Sequence, residues 1–479
     1  MSHSNLINDL LKVLPAHSVL SGDENTRAFE CDGLSVYRQK PLVVVLPEQV
    51  EQITAVLKIC RAHQVSVVTR GAGTGLAGGA MPLENSVVLG LSKLNRVKSV
   101  DDENQLAVVE PGVRNIAISE AVAQHDLYYA PDPSSQIACT IGGNVAENSG
   151  GVHCLKYGLT VHNIEAVKML TIDGEALTLT RQDEGLGLLA LMNGSEGLLG
   201  VVTEVTVKLT PIPAVAKLVM AGFDSVRECA DAVANIIKAG VVPAGLEMMD
   251  AFAIEAAEDF VQVGYPKEAK ALLLCELDGS AADVEQELAT VMEILSGASS
   301  LKVAENEAQR LAMWKGRKNA FPAVGRLSPD YYCMDGTIPR RHLADMLEHI
   351  SELSKKYGLR VANVFHAGDG NLHPLILYDA NIEGELERTE EFGTEILKMS
   401  VDMGGTVTGE HGVGVEKLNA MCHQFNTKEL EMFHRIKHAF DPESLLNPGK
   451  AVPELHRCAE LGSMHVHHNQ LPFPDLERF

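Results

Sequence analysis

The sequence lacks the long apolar runs, the basic character and the clustered cysteines that mark several classes of protein. No uninterrupted apolar run reaches the roughly 20 residues that a membrane-spanning helix needs. Lys and Arg number 40 against 64 Asp and Glu, which gives a formal net charge of −24. Because phosphate backbones are bound by basic surfaces, we expect no nucleic acid partner. Any association with a membrane is expected to run through partner proteins, peripherally at the inner membrane.

Cysteine occurs nine times, but no two cysteines form a C-x-x-C pair. Iron–sulfur clusters are usually held by closely spaced cysteines, so this chain is not expected to carry one. The N-terminus also lacks the pattern of a secretory signal. We therefore expect a protein of the reducing cytoplasm with mostly buried thiols.

Length and composition are typical of a soluble globular protein. The chain has 479 residues, of which 46% are hydrophobic and 22% charged, enough for two or three domains. Runs typical of strands alternate with helical patterns up to about residue 213. Beyond it, a strand–helix–strand–strand–helix order with a closing strand near Leu301–Val303 predicts a ferredoxin-like unit. Further helical patterns follow at 340–357 and 384–403.

A glycine-rich loop follows a predicted strand within residues 65–82, VSVVTRGAGTGLAGGAMP. Gly73, Gly75 and Gly78 match the G-x-G-x-x-G pattern of dinucleotide-binding Rossmann units. That pattern should open a helix, but here Pro82 follows closely and another strand is predicted near residue 86. The residues alone leave two interpretations open, a pyrophosphate cradle of bare backbone amides and a flexible surface loop.

Two further segments combine glycine with small polar residues. One is PDPSSQIACTIGGNVAENSGG at 131–151, and the other is NGSEGLLGVVTEVTVKL at 193–209. Three such segments in one domain suit a long, flat cofactor with polar ends better than three unrelated loops would.

With HAGDGNLH at 366–373, GEHGVG at 409–414 and LLNPGK at 445–450, these segments carry a family resemblance. From about residue 38 to 452 the chain resembles the vanillyl-alcohol-oxidase superfamily of flavoproteins. It is most similar to the family of the glycolate oxidase D subunit and the D-lactate and D-2-hydroxyglutarate dehydrogenases. The implied fold class is α+β, with a PCMH-type FAD-binding domain, a ferredoxin-like substrate domain and a C-terminal helical segment.

The resemblance also implies a domain order. An N-terminal helical segment is expected at 1–37 and a PCMH-type FAD-binding domain at 38–213. An FAD-linked oxidase C-terminal domain, for substrate and metal, is expected at 214–452. A polar tail at 453–479 contains the sequence HVHH, for which an unordered chain end and adventitious metal binding both stay open.

The cofactor implied by the resemblance is FAD. Some superfamily members attach the flavin to a histidine in the first glycine loop, but this loop has no histidine between Thr69 and Met81, so non-covalent FAD is expected. The implied cofactor-binding residues are Arg70, Gly71, Ala72, Gly73, Thr74, Gly75, Gly78, Gly79, Pro131, Asp132, Ser134, Ser135, Thr140, Gly142, Gly143, Asn144, Ala146, Asn148, Gly150, Gly151, Glu196, Gly197, Gly200, Val202 and Asn447.

Two histidines bracket a glycine-containing turn in HAGDGNLH, and a tight turn can bring both rings to one point. Two histidines and a carboxylate suit a divalent transition metal, whereas spacing alone fits hydrogen-bonded core histidines equally well. The resemblance implies that His366, His373 and Glu410 hold zinc, manganese or iron. Asp369 and Asn371 then either support the ligands or simply form the turn.

The remaining catalytic residues are implied by the same resemblance. His411 would act as general base, since an imidazole titrates near neutral pH. Arg317 would bind the substrate carboxylate through its planar fork, although a solvated helix face is the alternative for this basic cluster. Where the hydroxyglutarate enzymes carry a polar and basic pair, this chain has Phe321 and Tyr332, which favours a small monocarboxylate.

The expected reaction is oxidation of glycolate or D-lactate by hydride transfer to the flavin. The resemblance implies a second flavin-binding subunit and an iron–sulfur subunit as partners that receive the electrons. Alternatives are a D-2-hydroxyglutarate dehydrogenase, a non-catalytic electron-relay subunit, a peroxide-producing oxidase and a nicotinamide enzyme.

Overall fold

The computed structural model describes residues 3–454, and the chain divides into two compact units. The first unit holds Met1–Ser149, Leu159–Pro211 and the chain from Glu410 onward; the second holds Gly150–Gly158 and Ile212–Gly409. The domain limits expected from the sequence stay a prediction, and they differ from these units in where residues 150–158 and 410–452 belong. Among the described residues, no helix is both long enough and apolar enough to cross a bilayer. The HVHH sequence lies outside the described residues.

The first unit is built on three β-sheets. Its strands are Val19–Ser21 (β1), Val43–Val45 (β2), Val67–Arg70 (β3), Val87–Gly90 (β4), Val97–Asp101 (β5), Leu106–Val109 (β6), Leu127–Tyr128 (β7), Ile164–Leu170 (β8), Ala176–Thr180 (β9), Val201–Lys208 (β10) and Thr210–Pro211 (β11). The sheet orders are β1–β2–β4–β3, β5–β6–β10–β8–β9 and β11–β7.

Valine dominates the first sheet, and this composition explains its parallel core. β2 and β4 are buried along their whole length, and β4 pairs in parallel with both β2 and β3. β-branched residues favour extended backbone, and parallel strands covered on both faces are typically continuous apolar runs. β3 is held along its length by pairing with β4, and the glycine-rich loop begins directly after its last residue, Arg70.

The helices of the first unit cover these sheets. They are His3–Val13, Asp23–Thr26, Val50–His63, Asn115–Val122, Ile141–Glu147, Leu188–Met192, Leu418–Gln424 and Thr427–Phe440, with short 3-10 turns at Ala16–Ser18, Arg27–Phe29, Ala123–His125 and Thr160–Asn163. Val50–His63 illustrates the packing, because it buries Ile53, Leu57 and Cys60 on one face. Each such aliphatic side chain contributes about 1.5–3 kcal/mol when fully buried.

The second unit is built on one large sheet. Its strands are Val215–Phe223 (β12), Gly245–Asp250 (β13), Ala271–Gly279 (β14), Ser300–Val303 (β15), Asp330–Cys333 (β16), Gly336–Thr337 (β17), Val361–His366 (β18) and Asn371–Tyr378 (β19). Its helices are Cys154–Tyr157, Val226–Lys238, Ala251–Val261, Ala281–Ile294, Glu307–Lys318, Ala320–Val324, Leu343–Tyr357 and Glu385–Asp402, with 3-10 turns at Leu295–Gly297 and Arg340–His342.

The order β15–β12–β14–β13 is that of a ferredoxin-like sheet with antiparallel neighbours, so this part of the prediction is confirmed. The sheet then continues through β18, β19 and β16, with β17 paired to β19. That extension was not predicted. It matters because it joins the strand that carries His366 directly to β13 of the ferredoxin-like part.

Candidate active site

The glycine-rich loop of the first unit connects β3 to β4 without a helix, so it does not form a Rossmann unit. Gly73 and Gly78 have positive φ angles of 73° and 78°, which favour glycine. At Gly71, a Cβ atom would clash with Oγ1 of Thr140, and at Gly78 it would lie 2.5 Å from Cγ2 of Val415. The glycines therefore allow close approach of backbone to neighbouring elements.

The polar groups beside this loop fit a flavin nucleotide. The hydroxyl oxygens of Thr69 and Thr140 are buried and have no hydrogen-bond partner among the described residues. A buried hydroxyl without a partner is costly, so such groups are expected where a ligand supplies the missing bond. Together with the backbone amides of a glycine loop, they suit the polar centre of FAD.

Lys450 fixes the far end of the same loop. Its Nζ donates to the backbone carbonyl oxygens of Gly79 at 2.7 Å and of Met81 at 2.5 Å. Burial lowers the pKa of Lys450 to about 8, although the negative charges of Asp32, Glu196 and Glu147 act to raise it. In the sequence this lysine is part of the motif LLNPGK, and no role was predicted for it.

Glu196 was expected to bind the cofactor, which stays a prediction, and its carboxylate holds a neighbouring loop of the protein. It accepts the backbone N–H groups of Val413 and Gly414, each at 2.7 Å, and so holds the loop that carries His411. Glu147 lies beside it, and burial, followed by the charge of Glu196, raises the pKa of Glu147 well above its ordinary value. Burial also raises the pKa of Glu196. Glu147 was missed because nothing in its local sequence distinguishes it.

Several other expected cofactor residues have structural uses of their own. The side-chain amide of Asn144 donates a hydrogen bond to the hydroxyl of Ser149, and the side-chain oxygen of Asn148 accepts one from the backbone N–H of Val161. Gly142 and Gly200 are glycine because a Cβ would press on Pro111 and Met169, and Val202 is a core residue of β10. These contacts explain the residue types without a ligand, so their role in cofactor binding stays a prediction.

The remaining expected cofactor residues lie in the same loops. The guanidinium of Arg70 donates to the carbonyl of Cys31 at 2.7 Å, and the side-chain amide of Asn447 donates to the carbonyl of Glu196 at 2.7 Å. Gly150 and Gly151 fall in the segment Gly150–Gly158 of the second unit. The others lie in the three glycine-containing segments: Ala72, Thr74, Gly75, Gly79, Pro131, Asp132, Ser134, Ser135, Gly143, Ala146 and Gly197.

The two predicted histidine ligands are brought together by a hairpin in the second unit. β18 ends at His366, the turn 367–370 contains Gly370 at φ 84°, and β19 returns antiparallel. The rings of His366 and His373 lie 5.0 Å apart at 89°, and both residues are buried. A ring nitrogen of one lies within 4.8 Å of a ring nitrogen of the other, close enough to share a metal ion.

Glu247 on β13 is the group that the sequence analysis missed. Its Oε1 lies 2.8 Å from Nδ1 of His366, and its Oε2 lies 2.7 Å from Nη2 of Arg317. Burial alone would raise the pKa of Glu247, but the positive charges of His366 and Arg317 hold it below its ordinary value. The only local signal was an acidic residue in the middle of the strand GLEMMD, flanked by apolar residues.

Arg317 is buried to 2% exposure near the end of the helix Glu307–Lys318, whereas Lys315 and Lys318 are exposed. The interpretation of this cluster as a solvated helix face is therefore wrong for Arg317. Its Nε has no hydrogen-bond partner among residues 3–454, so the guanidinium retains donors for an acidic ligand.

His373 lies among groups that limit the space around it. Its Nδ1 is 3.2 Å from the carbonyl oxygen of Met334, and its ring packs edge-on against Phe321 at 6.3 Å. The thiol of Cys333 lies within 4.8 Å of a His373 ring nitrogen and is a further possible ligand that was not predicted. Tyr332, the other residue singled out from the sequence, is buried in β16.

The chain leading to Glu410 is fixed within the second unit. Gly409 donates its backbone N–H to Oδ2 of Asp335 at 3.0 Å, and a Cβ at Gly409 would lie 2.5 Å from the side chain of Asn371. Glu410 and His411 follow directly in the chain and belong to the first unit. The side chain of Asp369 accepts a hydrogen bond from the backbone N–H of Asn371 at 3.1 Å, a contact that stabilises the turn.

Comparison with known proteins decides the family. The chain matches the family "FAD linked oxidases, C-terminal domain" over residues 212–451 and the "FAD binding domain" family over residues 41–180. It is 59% identical to the glycolate oxidase subunit GlcD of Escherichia coli (strain K12), over 100% of this chain and 97% of that protein. The chain belongs to the FAD-linked oxidase family.

Two further likenesses agree with this membership. A D-lactate dehydrogenase of Anaerostipes hadrus is 31% identical over 93% of this FAD-linked oxidase and 96% of that protein. The crystal structure of p-cresol methylhydroxylase with substrate bound superposes with a TM-score of 0.80 at 17% identity, covering 95% of this chain and 97% of that one. The predicted family, fold class and FAD cofactor are confirmed, and this FAD-linked oxidase is an FAD-dependent oxidoreductase.

Proposed function

We propose that the protein oxidises a small 2-hydroxy acid, glycolate or D-lactate, to the 2-oxo acid, with FAD and a divalent metal. The observation that carries this proposal is the buried set His366, Glu247 and Arg317 in the second unit. In this set, Glu247 contacts both His366, a candidate metal ligand, and Arg317, a candidate binding group for the substrate carboxylate. The relatives named as glycolate oxidase subunit and D-lactate dehydrogenase act on substrates of this class.

The metal would be held by His366, His373 and Glu410. The two imidazoles lie close enough for this, and Glu410 follows a glycine whose backbone is tied to Asp335. A divalent cation lowers the pKa of a nearby hydroxyl group because it stabilises the alkoxide. Zinc, manganese and iron all accept two imidazoles and a carboxylate.

Arg317 would bind the substrate carboxylate. Its Nη2 lies 2.7 Å from Oε2 of Glu247 as an ion pair, and both Nε and Nη2 are buried donors without a well-aligned hydrogen bond among the described residues. A carboxylate that accepts from this guanidinium would satisfy the unpaired donor and fix the orientation of the acid. The α-carbon would then be presented in one orientation only.

His411 would take the hydroxyl proton. Its loop is held by the two hydrogen bonds from Val413 and Gly414 to Glu196, so the imidazole sits on a backbone fixed at a buried anchor. FAD, when bound without a covalent link, supplies the acceptor for the hydride. Placement and proton removal are the tasks of the chain itself.

The side chains around His373 would restrict the substrate to a short acid. Phe321, whose ring packs against that of His373, has no polar group for a second carboxylate, and Tyr332, buried in β16, carries no positive charge to pair with one. Burying a second carboxylate against such groups without a partner is strongly unfavourable. A D-2-hydroxyglutarate dehydrogenase is therefore the less favoured candidate.

The electrons would pass to partner subunits. The described cysteines that form no disulfide lie in both units and are not gathered at one site: Cys31, Cys60, Cys139, Cys154, Cys229, Cys275 and Cys333. A second flavin-binding subunit and an iron–sulfur subunit at the inner membrane would complete the path. The relatives named glycolate oxidase subunit are themselves subunits.

Anaerobic titration of the purified protein tests the reaction. Glycolate or D-lactate should bleach the flavin absorbance, while L-lactate and D-2-hydroxyglutarate should not. If none of the four acids reduced the flavin, the proposal would be wrong. If D-2-hydroxyglutarate alone did so, the alternative substrate would replace it.

The His411→Ala variant tests the proton acceptor. We expect it to keep its flavin but to lose reduction by substrate by about 100-fold or more, as for loss of a general base. His423→Ala, an exposed histidine twelve residues later, is the control and should react like the unchanged protein. Peroxide formation by the isolated chain in air, at the rate of substrate turnover, would favour an oxidase over a subunit that feeds partners.

A further inference from the structure

Glu247 is a buried acid flanked by apolar residues in the middle of a strand. It lies in the middle of β13 with 1% exposure, and its neighbours Leu246, Met248 and Met249 are equally buried. Its two carboxylate oxygens contact different partners, His366 on β18 and Arg317 on the helix Glu307–Lys318. One side chain thus connects two elements that carry proposed active-site residues.

A carboxylate at this position is not explained by stability alone. Removing a charge from water costs several kcal/mol, and a buried ion pair recovers this only with good geometry. Well-packed apolar residues commonly replace such pairs without loss of stability. What distinguishes Glu247 is the identity of its partners, because His366 and Arg317 are the residues proposed to bind the metal and the substrate carboxylate.

The contact with His366 determines how that imidazole can act. An ionised carboxylate only accepts hydrogen bonds, so Nδ1 of His366 must be the donor. The proton on Nδ1 leaves Nε2 with its lone pair, and a hydrogen-bonded carboxylate also makes the imidazole a stronger ligand. The ion pair with Arg317 places the guanidinium beside the same carboxylate and leaves its donors available to a substrate carboxylate.

We propose that Glu247 is a positioning residue that holds His366 as an Nε2 ligand and Arg317 as a carboxylate fork, and so couples the metal and substrate subsites. This inference rests on the proposed function, since it assumes that His366 binds the metal. Glu247 touches neither substrate nor metal in this role. Its loss should weaken metal binding and carboxylate binding together.

Glu276 supplies a matched control. It lies on the neighbouring strand β14, is 3% exposed, and contacts Arg310 at 2.7 Å, His153 at 3.4 Å and the indole N–H of Trp314. It is thus another buried glutamate between an arginine and a histidine. Its partners are not proposed to bind metal or substrate, so its loss reports the general cost of breaking such a pair.

The experiment compares Glu247→Gln with Glu276→Gln. The affinity of the metal-stripped proteins for Zn²⁺ and for Mn²⁺ is measured by competition with a chromophoric chelator, which requires no turnover. We expect Glu247→Gln to bind each metal about 10- to 100-fold more weakly and Glu276→Gln to stay within about threefold of the unchanged protein. In the reconstituted enzyme, KM for D-lactate and glycolate should also rise for Glu247→Gln alone.

Equal metal affinity in Glu247→Gln and the unchanged protein would overturn the inference. So would an equal loss in both variants, because the effect would then be structural. His366→Ala separates this failure from failure of the proposed function: unaltered metal binding in that variant would remove the ligand assignment itself. If Glu247→Gln does not fold, Glu247→Asp keeps the charge on a shorter side chain that cannot span both partners, and the same weakening is expected.

Discussion

Arg317 and Glu247 form a buried ion pair, with Nη2 of the arginine 2.7 Å from Oε2 of the glutamate. The side chains are 2% and 1% exposed, so neither charge is solvated. Because an unpaired buried charge is costly, each side chain limits the positions open to the other. The pair therefore fixes an arginine of the helix Glu307–Lys318 relative to the central strand β13.

Arg317→Lys tests the carboxylate-binding role. A lysine keeps the charge but loses the planar fork, so we expect KM for D-lactate and glycolate to rise by about 10- to 100-fold, corresponding to about 1–3 kcal/mol. Steady-state kinetics with an artificial acceptor measures this. Lys318→Met, which changes the exposed neighbour on the same helix, should leave KM unchanged. Equal effects of the two variants would contradict the assignment.

Removal of the metal should abolish substrate oxidation without release of the flavin. Dialysis of the unchanged protein against a chelator should give a yellow protein whose flavin D-lactate no longer reduces, and the variant His373→Ala should behave in the same way. The metal content of each sample is then measured. Re-addition of Zn²⁺, Mn²⁺ or Fe²⁺ should restore the dialysed protein but not the variant. Full activity in a sample shown to contain no metal would rule out the ligand set. His349→Ala, on the helix Leu343–Tyr357, is the control.

Lys450→Met should weaken FAD binding. The methionine cannot donate to the carbonyls of Gly79 and Met81, so the glycine-rich loop loses two charged hydrogen bonds. We expect the Kd for FAD to rise by roughly 30-fold, or about 2 kcal/mol, measured by quenching of flavin fluorescence. Lys428→Met, an exposed lysine of the same unit, should bind FAD normally. Unchanged affinity in Lys450→Met would show that the loop keeps its shape without this anchor.

Glu276 should give the second unit an acid-sensitive stability. Burial alone would raise its pKa, but His153, Arg310 and Trp314 hold the pKa at about 2. A depressed carboxyl pKa stabilises the folded state above the ordinary value of about 4.5, and this contribution is lost as pH falls towards 2. We expect Glu276→Gln to remove about 3 kcal/mol at neutral pH and to flatten the pH dependence between 4.5 and 2.

Urea unfolding followed by circular dichroism at several pH values measures this effect. The exposed Glu293→Gln serves as control and should follow the unchanged protein throughout. A parallel pH dependence in Glu276→Gln and the unchanged protein would show that other groups are responsible.

The histidine pair could be predicted from the sequence because its cause is local. Gly370 supplies the positive φ of the turn, and the seven-residue spacing then returns His373 beside His366. The ferredoxin-like order was likewise readable from consecutive patterns of strands and helices. The same holds for the absence of a helix after Gly78, since Pro82 and the following strand leave no room for one.

Glu247 could not be predicted because its partners are distant in sequence. Arg317 lies 70 residues and His366 119 residues further along the chain, and only the pairing of β13 with β18 brings their elements together. In the sequence, Glu247 is one acid among apolar residues. Gly200 and Val202 were expected to bind the cofactor because of their motif, but their residue types also have a packing explanation. A Cβ at Gly200 would clash with Met169, and Val202 is part of the hydrophobic core.

The first unit draws its residues from both halves of the sequence. Val67 of β3 is bridged to Leu446, and the loop that follows β3 is tied down by Lys450. During synthesis, the first β3 residues leave the ribosome several hundred residues before these contacts can form. The first unit therefore stays incomplete until the whole second unit has been translated, and a message cut short before codon 446 would yield a polypeptide unable to complete it.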